Sequence, residues 1–144
     1  NRFFSTLSRG RYALRLMEGP KGGNALGGLD LEVLDGASML PRSIETLSGG
    51  EQFLASLSLA FGLSDVVQAH SGAVRLDALF IDEGFGSLDG ETLDVAMKAL
   101  AMLQNSGRLV GIISHVSELK NRIPCRVEVT RDGNGLAHAG IRTQ

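Results

Sequence analysis

Thr46-Leu47-Ser48-Gly49-Gly50-Glu51-Gln52 is a polar, glycine-rich turn that runs straight into the long apolar-periodic segment Phe53 to Val67. Ser48 stands where a helix N-cap stands, and Glu51 follows three residues later, the spacing of a capping box. The pattern predicts a helix that starts at Gly49 and carries Phe53, Leu54, Leu57, Ala60, Phe61 and Val67 at helical spacing. Its expected end is His70-Ser71-Gly72. Two glycines at a helix start let backbone N–H groups approach an anion, and the positive end of the helix dipole favours it. The same residues also suit an ordinary helix cap, so the choice between a cap and a phosphate-binding turn falls to the rest of the chain.

Downstream of residue 46 helix and strand patterns alternate, the signal for a parallel α/β sheet. Ala78-Leu79-Phe80-Ile81 has no polar interruption, as expected of a strand buried on both faces, and it stops at Asp82 and Glu83. Glu91 to Gln104 is a second amphipathic helix with Leu93, Val95, Ala96, Leu100 and Leu103 on one side, closed by Asn105-Ser106-Gly107. Leu109 to Ile113 is a second continuous apolar strand that stops at Ser114-His115. Ser117 to Asn121 suggests a short helix, and Cys125–Thr130 and Leu136–Ile141 straddle the hairpin turn Asp132-Gly133-Asn134-Gly135.

Upstream, the periodicity is that of strands. Tyr12, Leu14 and Leu16 alternate with Arg11, Ala13 and Arg15, and Leu29, Leu31 and Val33 with Asp30, Glu32 and Leu34. Gly19 to Gly28 reads as a flexible connector between them, Asp35-Gly36 as a turn, and Met39 to Ile44 as a third strand interrupted by Pro41. Residues 1–10 are a short polar opening without a cap of its own.

A chain of 144 residues that is 43% hydrophobic has the material for one domain with a real core. With 14 basic against 16 acidic residues and a net charge of −2 there is no global basic field, so any nucleic-acid contact needs a local patch or another chain. Cys125 is the only cysteine, which excludes an intrachain disulfide and a Cys-x-x-Cys metal pair; it reads as a small buried hydrophobe. No apolar run approaches the roughly 20 residues of a membrane span, and Asn1-Arg2-Phe3-Phe4-Ser5 lacks a signal-peptide pattern, so a cytoplasmic chain without a membrane is expected.

In open α/β sheets ligands collect at the carboxyl ends of the parallel strands. Asp82-Glu83 and Ser114-His115 lie at two such ends. A carboxylate pair directly after a buried strand suits a nucleoside triphosphatase, with Asp82 holding hydrated Mg²⁺ and Glu83 orienting or deprotonating the attacking water. A neutral His115 is able to donate to a phosphate oxygen. Each also suits a plain solvated strand end. His70 and His138 are assigned no role.

Together these stretches spell a family pattern. Leu47-Ser48-Gly49-Gly50-Glu51 resembles the ABC signature motif, Leu79-Phe80-Ile81-Asp82-Glu83 a Walker B strand with its catalytic glutamate, Ser87-Leu88-Asp89 a D-loop and Ile113-Ser114-His115 an H-loop. Gly84-Phe85-Gly86 after the acidic pair, in place of the proline of transporters, and the run from Ile113 to Pro124 resemble the SbcC family of SMC-like ATPases. The resemblance implies an α/β fold, the C-terminal lobe of an ABC ATPase head, with a mainly parallel sheet flanked by helices, an antiparallel N-terminal patch and a C-terminal hairpin. It divides this single domain into 1–10, the trimmed end of a coiled coil, 11–45, antiparallel strands, and 46–144, the motif-bearing region.

No Gly-x-x-x-x-Gly-Lys-Ser/Thr loop occurs in the chain. In the SbcC family that loop lies in an N-terminal lobe, separated by a long coiled coil with a zinc hook. The resemblance therefore implies ATP and Mg²⁺ as cofactors, Glu83 and His115 as catalytic, Asp82 as the Mg²⁺ residue, and Leu47 to Glu51 with Ser87, Leu88 and Asp89 reaching ATP across a dimer of heads. It implies as partners the N-terminal lobe of the same protein, a second head, the SbcD nuclease and double-stranded DNA. This chain alone is expected to be inactive. The rival expectation is a structural DNA-tethering ATPase of the SMC or RecN kind, which shares the same motifs.

Overall fold

The structure, a computed structural model, describes residues 1–17, 30–71 and 76–143, with the side chain of Ser71 outside that description. The expected connector Gly19–Gly28, Leu29 and Gly72 lie outside the described residues.

Capping decides where the central helix begins. The Ser48 N–H donates to Glu51 Oε2 at 2.9 Å and the Glu51 N–H donates back to Ser48 Oγ at 3.3 Å, the reciprocal pair of a capping box. From there helix α2 runs over Gly49–Ser71. It buries Leu54, Ala55, Leu57, Ser58 and Phe61, and it packs against α1, α3 and the turn after β4. By length and composition Gly49–His70 is apolar enough to cross a bilayer. That corrects the expectation of no such run, which overlooked that interspersed serines and glycines lower hydropathy little. Helix α2 packs on three neighbours, while Leu59, Leu63 and Val66 on it stay exposed.

The first ten residues also differ from expectation. Arg2–Leu7 form a short helix, α1, which buries Phe4 and Leu7 and sets Phe3 edge-on against Phe61, ring centroids 5.4 Å apart. Six residues are less than two turns, too few for a period to show. The Leu14 N–H donates to Asn1 Oδ1 and so ties α1 to the next strand.

Strands β1 (Tyr12–Leu16), β2 (Leu31–Asp35) and β3 (Pro41–Ser43) form an antiparallel sheet in that order, with Tyr12 opposite Asp35 and Leu34 opposite Pro41. Pro41, which has no N–H to give, sits on the edge strand where none is demanded. Beyond α2, strand β4 (Ala78–Asp82) pairs in parallel with β5 (Leu109–Ile113), and helix α3 (Gly90–Asn105) makes the crossover between them. A short helix α4 (Ser117–Lys120) leads to the antiparallel hairpin β6 (Cys125–Arg131) and β7 (Ala137–Thr143). The fold is thus mixed α/β, with the parallel part confined to two of the described strands.

Leu79, Ile81, Val110 and Ile112 pack against the core, while the opposite face of β4 and β5 is bare, with Phe80 67% exposed and Leu109 and Ile113 also open. Burial of this sheet on both faces, expected from its uninterrupted apolar run, is therefore not met within the described residues. The Phe80 ring folds over its partner Gly111, where a Cβ would collide with it. Val127, Val129 and Ile141 are likewise exposed on one face of the hairpin. Cys125 is exposed too, against the expectation of a buried thiol, because β6 begins at it and has no layer over that face.

Candidate nucleotide site

The glycine turn is held by residues from both before and after it in the chain. Leu47 is buried and anchors it, Ser48 and Gly49 are exposed, and Gly50 is buried under Thr92 and Leu88. The first N–H groups of a helix have no intrahelical acceptor. Glu51 N–H is taken by Ser48, and those of Gly49 and Gly50 make no hydrogen bond among the described residues. Gly49 is exposed, so its N–H is the donor an external anion would meet first.

Glu51 is held by more than the capping box. The Tyr12 hydroxyl donates to Glu51 Oε1 at 2.8 Å, and Arg11 lies 3.6 Å from the same oxygen. Arg42 Nη2 in turn donates to the Tyr12 oxygen at 3.0 Å and its Nη1 to the Thr46 carbonyl, while Asp35 balances both arginines at 3.7–3.8 Å. Burial is the largest single influence on Glu51 and opposes its charge. The hydrogen bonds from the Ser48 N–H, the Tyr12 hydroxyl and the Ser48 hydroxyl, with the charge of Arg11, outweigh it and hold the carboxyl below its ordinary value. Burial, together with the bond to Glu51 and its charge, pushes the Tyr12 phenol up. No local signal in the sequence marks Tyr12, Arg11 or Arg42 for this role; only the register of β1 and β3 brings them to a residue on α2.

At the strand ends the structure joins what the motif order separates. Glu83 N–H donates to the Ile113 carbonyl at 2.9 Å, extending the β4–β5 ladder by one residue. His115 Nδ1 then lies 2.9 Å from Glu83 Oε2, with both side chains open to solvent. Glu83 takes φ 62°, the left-handed region, at a cost of roughly 1–2 kcal/mol for a residue with a Cβ. Asp82, one residue earlier, is the last of β4 and is exposed.

Residues 85–87 make a 3-10 turn anchored by the buried Phe85. Ser87 Oγ donates to the Gly84 carbonyl at 3.3 Å, and a Cβ on Gly49 would sit 3.3 Å from Ser87 Cβ. The D-loop residues are therefore packed directly against the signature turn of the same chain. Leu88 leads into Asp89, which caps α3 by accepting the Thr92 N–H at 2.7 Å, and that bond holds its carboxyl below the ordinary value.

Among the described residues no group of three or more His, Cys, Asp and Glu forms a metal cage. A single exposed carboxylate at Asp82 fits Mg²⁺, which binds through one or two carboxylates and keeps its waters and substrate phosphates as the remaining ligands.

A glycine-turn helix, a carboxylate-ended parallel strand, a capped crossover helix and a neighbouring strand that delivers a histidine come together here in one mixed α/β fold. Over 99% of this chain and 80% of the other, it superposes with a TM-score of 0.70 at 20% identity on a solved structure from work on ATP-driven dimerization and DNA-stimulated activation of SMC ATPases. Residues 29–102, about half of the chain, match the model of the family described as SbcC/RAD50-like, Walker B motif, and the chain belongs to that family. It is 59% identical over 132 residues to the C component of the SbcCD nuclease of Vibrio cholerae. To the protein of the same name from Staphylococcus epidermidis it is 55% identical over 130 residues. Each alignment covers 90% of this chain and 13% of the relative.

Proposed function

We propose that the chain is the C-terminal lobe of an ATPase head that acts with an SbcD-type nuclease on double-stranded DNA ends, in the cytoplasm. The observation that carries this reading is the 2.9 Å contact of His115 with Glu83 at the ends of adjacent parallel strands, next to a capped glycine turn. Glu83 is the general base that takes a proton from the attacking water. His115 restrains that carboxylate and presents its other ring nitrogen to the phosphate.

Asp82 would hold Mg²⁺, which when bound offsets the negative charge of the phosphates. Ser48 and Gly49 are exposed at the helix start, and with Gly50 behind them they serve an ATP held chiefly by a second head. Leu47 and Glu51 fix the turn, Ser87 and Leu88 pack against it, and Ser87 and Asp89 of the D-loop reach the same ATP across the dimer. The N-terminal lobe of the same protein supplies the phosphate loop that this sequence lacks, so the chain by itself turns over no ATP.

The test is Glu83→Gln in the full-length protein. Turnover should fall about 10²-fold or more while ATP binding persists. Wild-type turnover in that variant would reduce Glu83 to a solvated strand end. Co-purification of a nuclease separates this reading from a purely structural tether.

A further inference from the structure

Glu83 and Gly84 are both left-handed, at φ 62° and 96°, in consecutive positions. The pair is fixed on its N-terminal side by the Glu83 N–H, which donates to the Ile113 carbonyl. The other side is closed by Phe53. A Cβ on Gly84 would fall 2.6 Å from Phe53 Cε2 and 2.7 Å from Cδ2, so the ring edge lies where any side chain would stand. The ring is also tilted against buried Phe85, centroids 4.9 Å apart. Phe53 is thus a wedge between α2 and the turn that follows Glu83.

Its place on α2 adds to this. Phe53 follows Gly49 by four residues and Gly50 by three, which puts all three on one helix face. Gly49 meets Ser87, Gly50 meets Thr92 and Leu88, and Phe53 meets Gly84 and Phe85. The helix face that carries the signature turn is therefore the face that presses on the Glu83 turn.

Resting on the function proposed above, we infer that Phe53 is a positioning residue for Glu83. Its ring holds the 83–84 peptide left-handed and so keeps the Glu83 carboxylate beside His115. Without the ring, Gly84 has room to relax, the Glu83 side chain swings away from the strand end, and the base is misplaced although every catalytic group is still present. Phe53 acts through the Glu83 turn and not on the reacting atoms.

The experiment uses the full-length protein with its nuclease partner. Phe53→Leu removes the ring edge and keeps an apolar side chain; kcat should drop about tenfold or more, as small displacements of a reacting group do. The KM for ATP and nucleotide affinity should stay within about twofold, since the binding groups are untouched. Phe53→Tyr, which keeps the ring edge, should restore kcat. In the Glu83→Gln background, single-turnover rates should show no further loss from Phe53→Leu.

Wild-type kcat for Phe53→Leu alongside an inactive Glu83→Gln would overturn the inference and leave the proposed function standing. The same fractional loss in both backgrounds would also overturn it, by making the effect independent of Glu83. A Glu83→Gln protein with normal turnover would remove both. Should Phe53→Leu fail to fold, Phe53→Met takes its place. Phe61→Leu, an equal ring loss on α2 away from the turn, should lower the melting temperature without the same drop in kcat.

Discussion

Glu51 caps a helix and at the same time anchors strand β1 through Tyr12, with Arg11 beside it. Its folded carboxyl lies below the ordinary value of about 4.3. A depressed carboxylate contributes stability above its unfolded pKa and loses it as pH falls through the folded one. The Glu51→Gln variant should therefore be less stable than wild type at neutral pH by about 1 kcal/mol, the typical worth of a cap bond. The gap should begin to close as pH falls below about 4.3 and be gone only below the lower folded value, where wild type carries a neutral group as well. Urea unfolding at a series of pH values checks this, and a gap that does not change with pH would mean that shape rather than charge holds the turn. At Asp89 the charge acts locally, accepting the Thr92 N–H at the start of α3. Asp89→Ala should lower the urea midpoint in the same assay, since the Thr92 N–H loses its cap.

Elements with a strong period or a strong stop were legible in the sequence. Helices α2 and α3, strands β4 and β5 and the hairpin lie within a residue or two of where periodicity, caps and turn residues put them. The candidate site was legible for the same reason, because parallel strands that end in Asp82-Glu83 and Ser114-His115 must bring those ends together. Helix α1 was not, since six residues hold too little pattern. The contact of Tyr12 with Glu51 spans 39 residues and depends on a strand register that no local motif records. The uninterrupted run Ala78–Ile81 signals two covering layers, and the described residues supply one. The weight of α1 can be measured. Phe4 is almost fully buried and stacks on Tyr12 with ring centroids 5.9 Å apart. Phe4→Ala should cost about 3–5 kcal/mol, the range for deleting a buried ring. A loss below about 1 kcal/mol would mark α1 as an appendage rather than part of the core.

Taken as a whole, the molecule presents two kinds of unfinished surface, an apolar one and a polar one. Phe80, Leu109 and Ile113 on the parallel sheet and Val127, Val129 and Ile141 on the hairpin are apolar and open, and the lobe proposed above would cover them. The signature turn is polar and open, with Ser48 and Gly49 exposed at a helix start. Such a start attracts an anion by hydrogen bonds and by a dipole contribution of roughly 0.3 to 2 kcal/mol. If that anion belongs to a nucleotide held by a second head, Ser48 acts in trans, and Ser48→Arg discriminates. The arginine removes the Oγ that accepts the Glu51 N–H and fills the space in front of Gly49 and Gly50. Asp82, Glu83 and His115 of the same chain, on the β4–β5 ends, keep their contacts. Each full-length head should then bind ATP with wild-type affinity, while ATP-driven pairing of heads, followed by sedimentation, and hydrolysis that depends on it are both lost. Lost ATP binding by the single head would place Ser48 in cis. Undiminished pairing would leave the stretch from Leu47 to Glu51 as a helix cap and nothing more.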